Sequence, residues 1–326
     1  MYKSTRRASV SSETSGFSPQ CPRLQSTVKY CEGNWTFVSE LPVLPSFVYA
    51  FTLHGKLLCF AFEMLKWTMS FGNQHESTES GGLYEYDPYR DKWLVLTHNV
   101  SPTVLTAVKD CASRYGTFTC CKDTNTLYCV TYSKNMKVKI GMTDGEIELN
   151  ESMDLLAIED FPESTIENPA SVVMDRDLYV IGGLQKYSQS DVKVLSEVYR
   201  LDPNNSSWVS LAAMNIARSA CAAVALGGHL YVIGGFGRFR LSSAERYDPS
   251  VDQWTNLTRM TKERSHLNAI VMTDKIYVMG GKSYGIAGGG VRKVLRSVEE
   301  YDPDKDTWTT IEPMPQNRCL FGAVVW

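Results

Sequence analysis

Four times in 326 residues the chain sets an Asp-Pro pair after a Tyr or Leu and places a Trp six residues beyond the Asp. The cassettes are Tyr86-Asp87-Pro88 with Trp93, Leu201-Asp202-Pro203 with Trp208, Tyr247-Asp248-Pro249 with Trp254, and Tyr301-Asp302-Pro303 with Trp308. Three of them follow an apolar run that ends in a glycine pair, Gly182-Gly183, Gly234-Gly235 or Gly280-Gly281. Trp208 to Trp254 is 46 residues and Trp254 to Trp308 is 54. Trp93 to Trp208, at 115, holds two units, the first without its Trp, and Trp35 lies 58 residues before Trp93. With a degenerate unit near Ile147, the count is six. A period of this size marks a repeat architecture, in which each unit buries its apolar face only by stacking on its neighbours.

The unit ending at Trp254 reads as four short strands, at 220–226, 230–233, 243–247 and 254–257. Gly227-Gly228 makes the first turn, where glycine enters positive φ without steric cost, and Asp248-Pro249 makes the last. Short strands, close turn signals and no helical period predict an all-β array, and four strands per unit predict a propeller blade.

The glycine pair, the Tyr-Asp-Pro turn, the Trp six residues after the Asp, and a Met followed four residues later by an Arg together resemble Kelch repeats. The resemblance is strongest over 171–326 and is again visible over 83–96. It thins over 104–160, where Leu127-Tyr128-Cys129-Val130 runs into Thr131-Tyr132 instead of glycines, and Leu57-Leu58-Cys59-Phe60 lacks its pair too. It implies a six-bladed Kelch-type β-propeller of four-stranded antiparallel blades over residues 27–326. The closing blade is expected from both chain ends, with 319–326 as its first strand and 27–38 as its last two. One strand between them is missing, which suggests a truncated form of a longer protein. Residues 1–26, dominated by serine, read as a disordered tail. Within it Arg6-Arg7-Ala8-Ser9 resembles a basophilic kinase site, with Ser9 as the acceptor and a merely solvated tail as the alternative.

Composition narrows the function. A net charge of −3 and a pI near 6.0 argue against a nucleic-acid partner. No apolar run is long enough to predict a membrane span, and the N-terminus lacks an apolar signal segment. Nine cysteines without metal-ligand spacing suit reduced core thiols and a cytoplasmic location. The five histidines show no ligand spacing, no nucleophile elbow is present, and carboxylates such as Glu299-Glu300 read as strand residues with one solvated. The chain is therefore expected to be non-catalytic, with no cofactor and no metal.

The repeated residues Gly182, Gly183, Gly234, Gly235, Gly280, Gly281, Trp93, Trp208, Trp254 and Trp308 are read as structural, with Trp254 a buried blade-to-blade contact. Three arginines recur: Arg218, Arg264 and Arg318, each four residues after Met214, Met260 or Met314. Two readings stand. They brace neighbouring loops through backbone carbonyls, or they form a ring of donors for an acidic peptide. On the second reading Arg264→Ala weakens binding and disturbs folding much less than Trp254→Ala. The loops after the glycine pairs add Tyr187, Arg238, Phe239, Arg240, Lys282 and Tyr284, residue types that dominate binding hot spots. The loop over 63–82 offers Trp67 as an anchor or as a cover for the second unit. The resemblance implies a substrate-recognition propeller for a cullin-based ubiquitin ligase, of the type that follows BTB and BACK domains. Other Kelch proteins bind actin, which makes a cytoskeletal scaffold the alternative.

Overall fold

The structure is a computed structural model that describes residues 27–31, 34–38, 40–41, 47–62, 81–113, 116–130, 136–139, 141–143, 146–148, 166–187, 191–202, 207–284 and 292–325. The serine-rich segment 1–26 with Ser9, and the loop bearing Trp67, lie outside the described residues.

The chain opens with a two-stranded hairpin, β1 (Thr27–Cys31) and β2 (Asn34–Val38). A four-stranded antiparallel sheet follows: β3 (Phe47–Leu53), β4 (Lys56–Phe62), β5 (Gly81–Asp87) and β6 (Lys92–Val95). After α1 (Pro102–Ser113) come the three-stranded sheet β7 (Thr117–Cys121), β8 (Thr126–Val130), β9 (Met136–Lys139) and the hairpin β10 (Gly141–Thr143), β11 (Glu146–Glu148). The next sheet holds β12 (Ile166–Glu167), β13 (Ala170–Met174), β14 (Asp177–Lys186), β15 (Val192–Leu201) and β16 (Trp208–Leu211). Two regular blades complete the chain. One is β17 (Ala222–Leu226), β18 (His229–Ile233), β19 (Ala244–Asp248) and β20 (Gln253–Leu257). The other is β21 (Asn268–Met272), β22 (Lys275–Met279), β25 (Val298–Asp302) and β26 (Thr307–Ile311), with a side hairpin β23 (Lys282–Tyr284), β24 (Arg292–Val294).

This is an all-β propeller. Six stretches of chain, 48–52, 116–120, 168–171, 220–223, 266–271 and 320–325, line one central channel of about 490 Å³. The same backbone step recurs around its rim. Asn168, Ala220, His266 and Leu320 all sit at positive φ, between 49° and 55°. Ala220 N–H donates to Asn168 O at 2.9 Å, His266 N–H to Ala220 O at 2.8 Å, and Leu320 N–H to His266 O at 3.3 Å. A chain of backbone bonds thus passes from unit to unit across the top of the channel. The apolar core lies between adjacent sheets, as stacking units require. Val172, Tyr179 and Ile181 of one sheet pack with Leu230, Val232 and Tyr247 of the next.

Two sequence expectations need correction, at residues 102–113 and at Trp254. Residues 102–113 form a helix where only strands were expected. Pro102 sits in its first turn, Ser101 Oγ accepts from Val104 N–H at 3.3 Å, and Val104, Val108 and Cys111 bury one face. Residues 320–325 line the channel beside Ala50, and among the described residues no ladder joins them to β1–β2, as the strand missing between the two ends in the sequence implies. An inner strand and an outer hairpin need a middle strand to pair through, and no described residue supplies one; four of the expected six blades carry all four strands. Finally, Trp254 is only half-buried, because Tyr247 takes the fully buried place beside it.

Candidate interaction face and the braces beneath it

The recurring arginines lie inside the protein. Arg218 and Arg264 have no exposed surface, and Arg318 is 6 % exposed. Arg218 Nη1 donates to Gly234 O at 2.8 Å and Ser243 O at 3.1 Å, and Nη2 donates to Ser243 Oγ and, at 2.6 Å, to Glu245 Oε1. Arg264 repeats this on Gly280 O, Ser297 O, Ser297 Oγ and, at 2.5 Å, Glu299 Oε1. Both carboxylates are fully buried. They also accept backbone bonds from the linkers that carry the arginines: Glu245 from Asn215 and Ile216, and Glu299 from Thr261. Burial pushes the Arg264 guanidinium down from its ordinary pKa, and Glu299 opposes the shift.

Each linker is a staple between sheets. The backbone of Arg218 bonds to Leu195 and Gly183 of one sheet, while its side chain grips the next; Arg264 does the same from Leu241 and Gly235. The glycine pairs are part of this device. A Cβ on Gly234 would lie 2.7 Å from Arg264 O, one on Gly280 would lie 2.5 Å from Arg318 O, and one on Gly182 would collide with Arg218 O. The Cε atoms of Met260 and Met314 lie 3.3 and 3.2 Å from the same Gly234 and Gly280 positions. The Met-x3-Arg spacing thus places a methyl group and a carbonyl against the glycine. Arg218 and Arg264 have the geometry of braces, and this replaces the expectation that they offer donors to a partner: a guanidinium already spent on an internal glutamate cannot bind another carboxylate.

A second clasp lies lower. Trp254 Nε1 donates to Ala212 O at 2.8 Å and Asp252 accepts from Ala212 N–H at 2.8 Å, so one residue of the preceding linker is held at both ends. Trp308 and Asp306 hold Thr258 in the same way. Tyr247 and Tyr301 fix the aspartates through hydroxyl bonds of 2.7 and 2.8 Å. Sequence reasoning missed Glu245, Glu299, Asp252 and Asp306. The signal was present, since a Glu stands two residues before each of these Tyr and an Asp five after it. Glu300, by contrast, is the member of its pair near solvent, where it meets Lys275.

Of the candidate partner-binding residues, those on the surface are in the loops after the glycine pairs. Tyr187 is 61 % exposed, Phe239 66 % and Tyr284 40 %. The 236–241 loop is closed by its own backbone bonds, Gly237 N–H to Phe239 O and Leu241 N–H to Gly235 O, both 2.9 Å, which hold Arg238 and Phe239 at its tip. The Arg238 guanidinium lies 5.6 Å from the Phe239 ring, and that of Arg240 lies 4.0 Å from the Tyr284 ring of the next sheet. Lys282 is half-exposed on the same hairpin. Tyr187 stands on the preceding sheet and donates to Gln185 Oε1 at 2.5 Å. Rigid loops bearing exposed aromatic and Arg side chains provide contact area at low entropic cost.

Among the described residues no group of three or more His, Cys, Asp or Glu side chains converges as a metal site, and no helix is long and apolar enough to cross a membrane. Cys59, Cys111, Cys121, Cys129 and Cys221 are buried core residues, and burial pushes the Cys59 thiol up.

A propeller stapled through glycine pairs and displaying variable loops is a protein-interaction scaffold. The chain belongs to the Kelch-repeat family: the KLHDC2/KLHL20/DRC7 Kelch-repeats domain matches residues 124–325. It is 36% identical over 63 residues to Kelch-like protein 9 of Mus musculus, a segment covering 19% of this chain and 10% of that protein. It is 33% identical over 51 residues to the N-acetylneuraminate epimerase of Haemophilus influenzae (strain PittEE), covering 16% of this chain and 14% of that one. The matched segments thus span about a tenth to a seventh of these relatives. The solved structure of YjhT superposes with a TM-score of 0.51 at 19% identity, over 63% of this chain and 67% of that one.

Proposed function

We propose that this propeller is the substrate-recognition part of a cullin-RING ubiquitin ligase adaptor of the BTB-Kelch type, and that it binds its protein partner through the loops bearing Tyr187, Arg238, Phe239, Arg240, Lys282 and Tyr284. The family match and the likeness to Kelch-like protein 9 support the adaptor class. The observation that carries the choice of face is the Arg238-Phe239 tip: a 66 % exposed Phe on a loop fixed by backbone bonds, beside Arg240 stacked on Tyr284. An exposed aromatic on a rigid loop has no folding role that requires its exposure, and it matches the anchors of protein interfaces.

The test compares cross-linked capture from cells by the parental chain and by a variant carrying Arg238→Ala and Phe239→Ala. Proteins captured only by the parent are then followed for ubiquitination and lifetime when the protein is depleted. The reading expects reduced ubiquitination and longer lifetimes. Unchanged lifetimes for every loop-dependent partner would exclude an adaptor role. Co-sedimentation with actin filaments that depends on the same loop would support the cytoskeletal scaffold instead.

A further inference from the structure

The blades do not end alike at the outer rim. The outer strands of the two regular blades expose Thr255 and Asn256 on β20, and Thr309 and Thr310 on β26. Counted from its own Trp93, β6 puts Leu94 and Val95 at the same places, 37 % and 52 % exposed. The difference runs back through the sheet. In the regular blades the cross-strand row that reaches the rim is Ala223, Val232, Glu245, Asn256, or Ala269, Val278, Glu299, Thr310. In the β3–β6 sheet it is Ala50, Cys59, Tyr84, Val95, with no charged group from channel to solvent.

Among the described residues β6 is the outer edge of its sheet. Leu96 N–H donates inward to Leu83 O at 2.9 Å. Successive residues of an antiparallel strand bond to opposite sides, so the N–H and C=O of Val95 point out of the sheet. An apolar edge with outward backbone groups is a template for another strand, and proteins blunt such edges with charge or proline unless they use them. β6 carries one charge, Lys92 at its start, and no proline.

The strand that fits is read from β6 itself. Set antiparallel to a second copy about Leu94, Val95 of each chain lies opposite Trp93 of the other, and Lys92 opposite Leu96. A β-branched residue facing an aromatic one is a favourable cross-strand pair, and no like charges meet. The parity agrees. Val95 falls at a hydrogen-bonding place, and the two Leu94 side chains meet at the closer, non-bonded one. Against β20 or β26 of another chain the same residues would face Thr and Asn. A two-fold contact also closes on itself and leaves no edge for further growth.

We propose that β6 is a self-association edge: it pairs antiparallel with β6 of a second copy, about a two-fold axis at Leu94, and joins two propellers rim to rim. A four-residue strand buries far less than the roughly 1,200 Å² of a stable interface, so the dimer is weak and concentration-dependent. Two joined propellers carry two sets of the loops that bear Phe239, and a partner with two matching segments then binds the second at the local concentration set by the first.

Sedimentation velocity of the full chain over a concentration series tests the pairing. The weight-average mass should rise from that of one 36.6 kDa chain towards twice that value. Leu94→Lys, which sets like charges opposite each other on the axis, should weaken association at least about tenfold. Val95→Thr, the side chain that β26 carries at this place, should weaken it several-fold and serves if Leu94→Lys does not fold. Leu94→Cys should form an intermolecular disulfide under mild oxidation, because the axis brings the residue to its own counterpart. Thr255→Cys, at the same place in the β17–β20 blade, should cross-link no more than the parent. A single-chain mass up to the solubility limit overturns the edge. So does association that both β6 variants leave unchanged, or cross-linking through Thr255→Cys equal to that through Leu94→Cys.

Discussion

The two ends of the propeller solve the same packing problem with different chemistry. At the junctions made by the 212–220 and 258–266 linkers, neighbouring sheets are joined by buried ion pairs, Arg218–Glu245 and Arg264–Glu299, each with backbone bonds to the same carboxylate. At the junction between the sheet beginning at β3 and that beginning at β7, rings do the work. Phe118 lies 5.1 Å from Tyr49, 5.8 Å from Phe51 and 5.6 Å from Phe60, and α1 packs Val104 and Val108 into the same cluster. The sheet begun by β12 is a halfway case. Two residues before its positive-φ Asn168 stands Ile166 in place of the arginine, and Tyr199 occupies the strand position of Glu245; both are buried in an apolar cluster. Ion pair and apolar contact are thus alternatives at one structural position, as expected where desolvation offsets most of the Coulombic gain.

Removing one half of an ion pair breaks this comparison most severely. Glu299→Ala leaves Arg264 charged, buried and without its carboxylate, which should cost about 3–5 kcal/mol. Replacing both partners, as Arg264→Met with Glu299→Leu, should recover most of that loss in urea denaturation, because it rebuilds the Ile166–Tyr199 solution. A double variant as unstable as Glu299→Ala alone would mean that the two chemistries are not interchangeable here. Arg264→Ala is for the same reason expected to damage folding more than Trp254→Ala, the reverse of the order that the sequence suggested.

At the aromatic end, Phe60→Ala removes a side chain with no exposed surface and should cost about 3–5 kcal/mol, at or just below the ion-pair loss. It should act without the rescue available to the ion pair, since a cavity cannot be closed by changing a partner's charge. Thermal melts in low and high salt check that both junctions are dry: neither loss should change much with salt, because both sites are fully buried. A strong salt dependence for Glu299→Ala would show that water reaches that junction.

Trp254→Ala comes next. The ring is half-buried and its Nε1 holds Ala212 O, so the change removes part of an aromatic contact and one hydrogen bond, for about 1–3 kcal/mol. A loss equal to that of Phe60→Ala would show that Trp254 is a core residue after all.

The contrast between the ends also explains what could be read from the sequence. Hydrogen-bonded staples need particular donors and acceptors at fixed distances, so the glycine pairs, the Trp and the Arg recur with constant spacing and give the repeat away. Apolar junctions accept any side chains that fill the volume, so Tyr49, Phe51, Phe60 and Phe118 carry no period, and the first half of the chain was legible mainly through Trp35 and through Tyr86-Asp87-Pro88 with Trp93. The helix at 102–113 hid for the same reason: a single amphipathic turn sequence inside an all-β repeat has no counterpart to confirm it. Spacing placed Arg218 and Arg264 correctly but not their exposure, because a donor's role depends on where its acceptor lies, and the Glu partners are 27 and 35 residues further along.

The smallest expected effect tests whether the polar junction can be titrated, which the aromatic one cannot. Asp252 accepts from Ala212 N–H and from the Tyr247 hydroxyl, and these bonds hold its carboxyl below the ordinary 3.8. A group whose pKa is lower in the folded than in the unfolded chain adds stability that is present above the unfolded value and is lost as pH falls through the folded one. The increment is therefore present at neutral pH and disappears below about pH 4. Asp252→Asn keeps an oxygen for Ala212 N–H but removes the charge. The parent should exceed the variant in stability by less than about 1 kcal/mol at pH 7, since the site is solvent-screened. The two should converge as acid protonates Asp252. Urea midpoints measured from pH 7 downwards read this directly. A gap that stays constant with pH would mean that the clasp works by shape alone, and that the carboxylate at this position is no better than an amide.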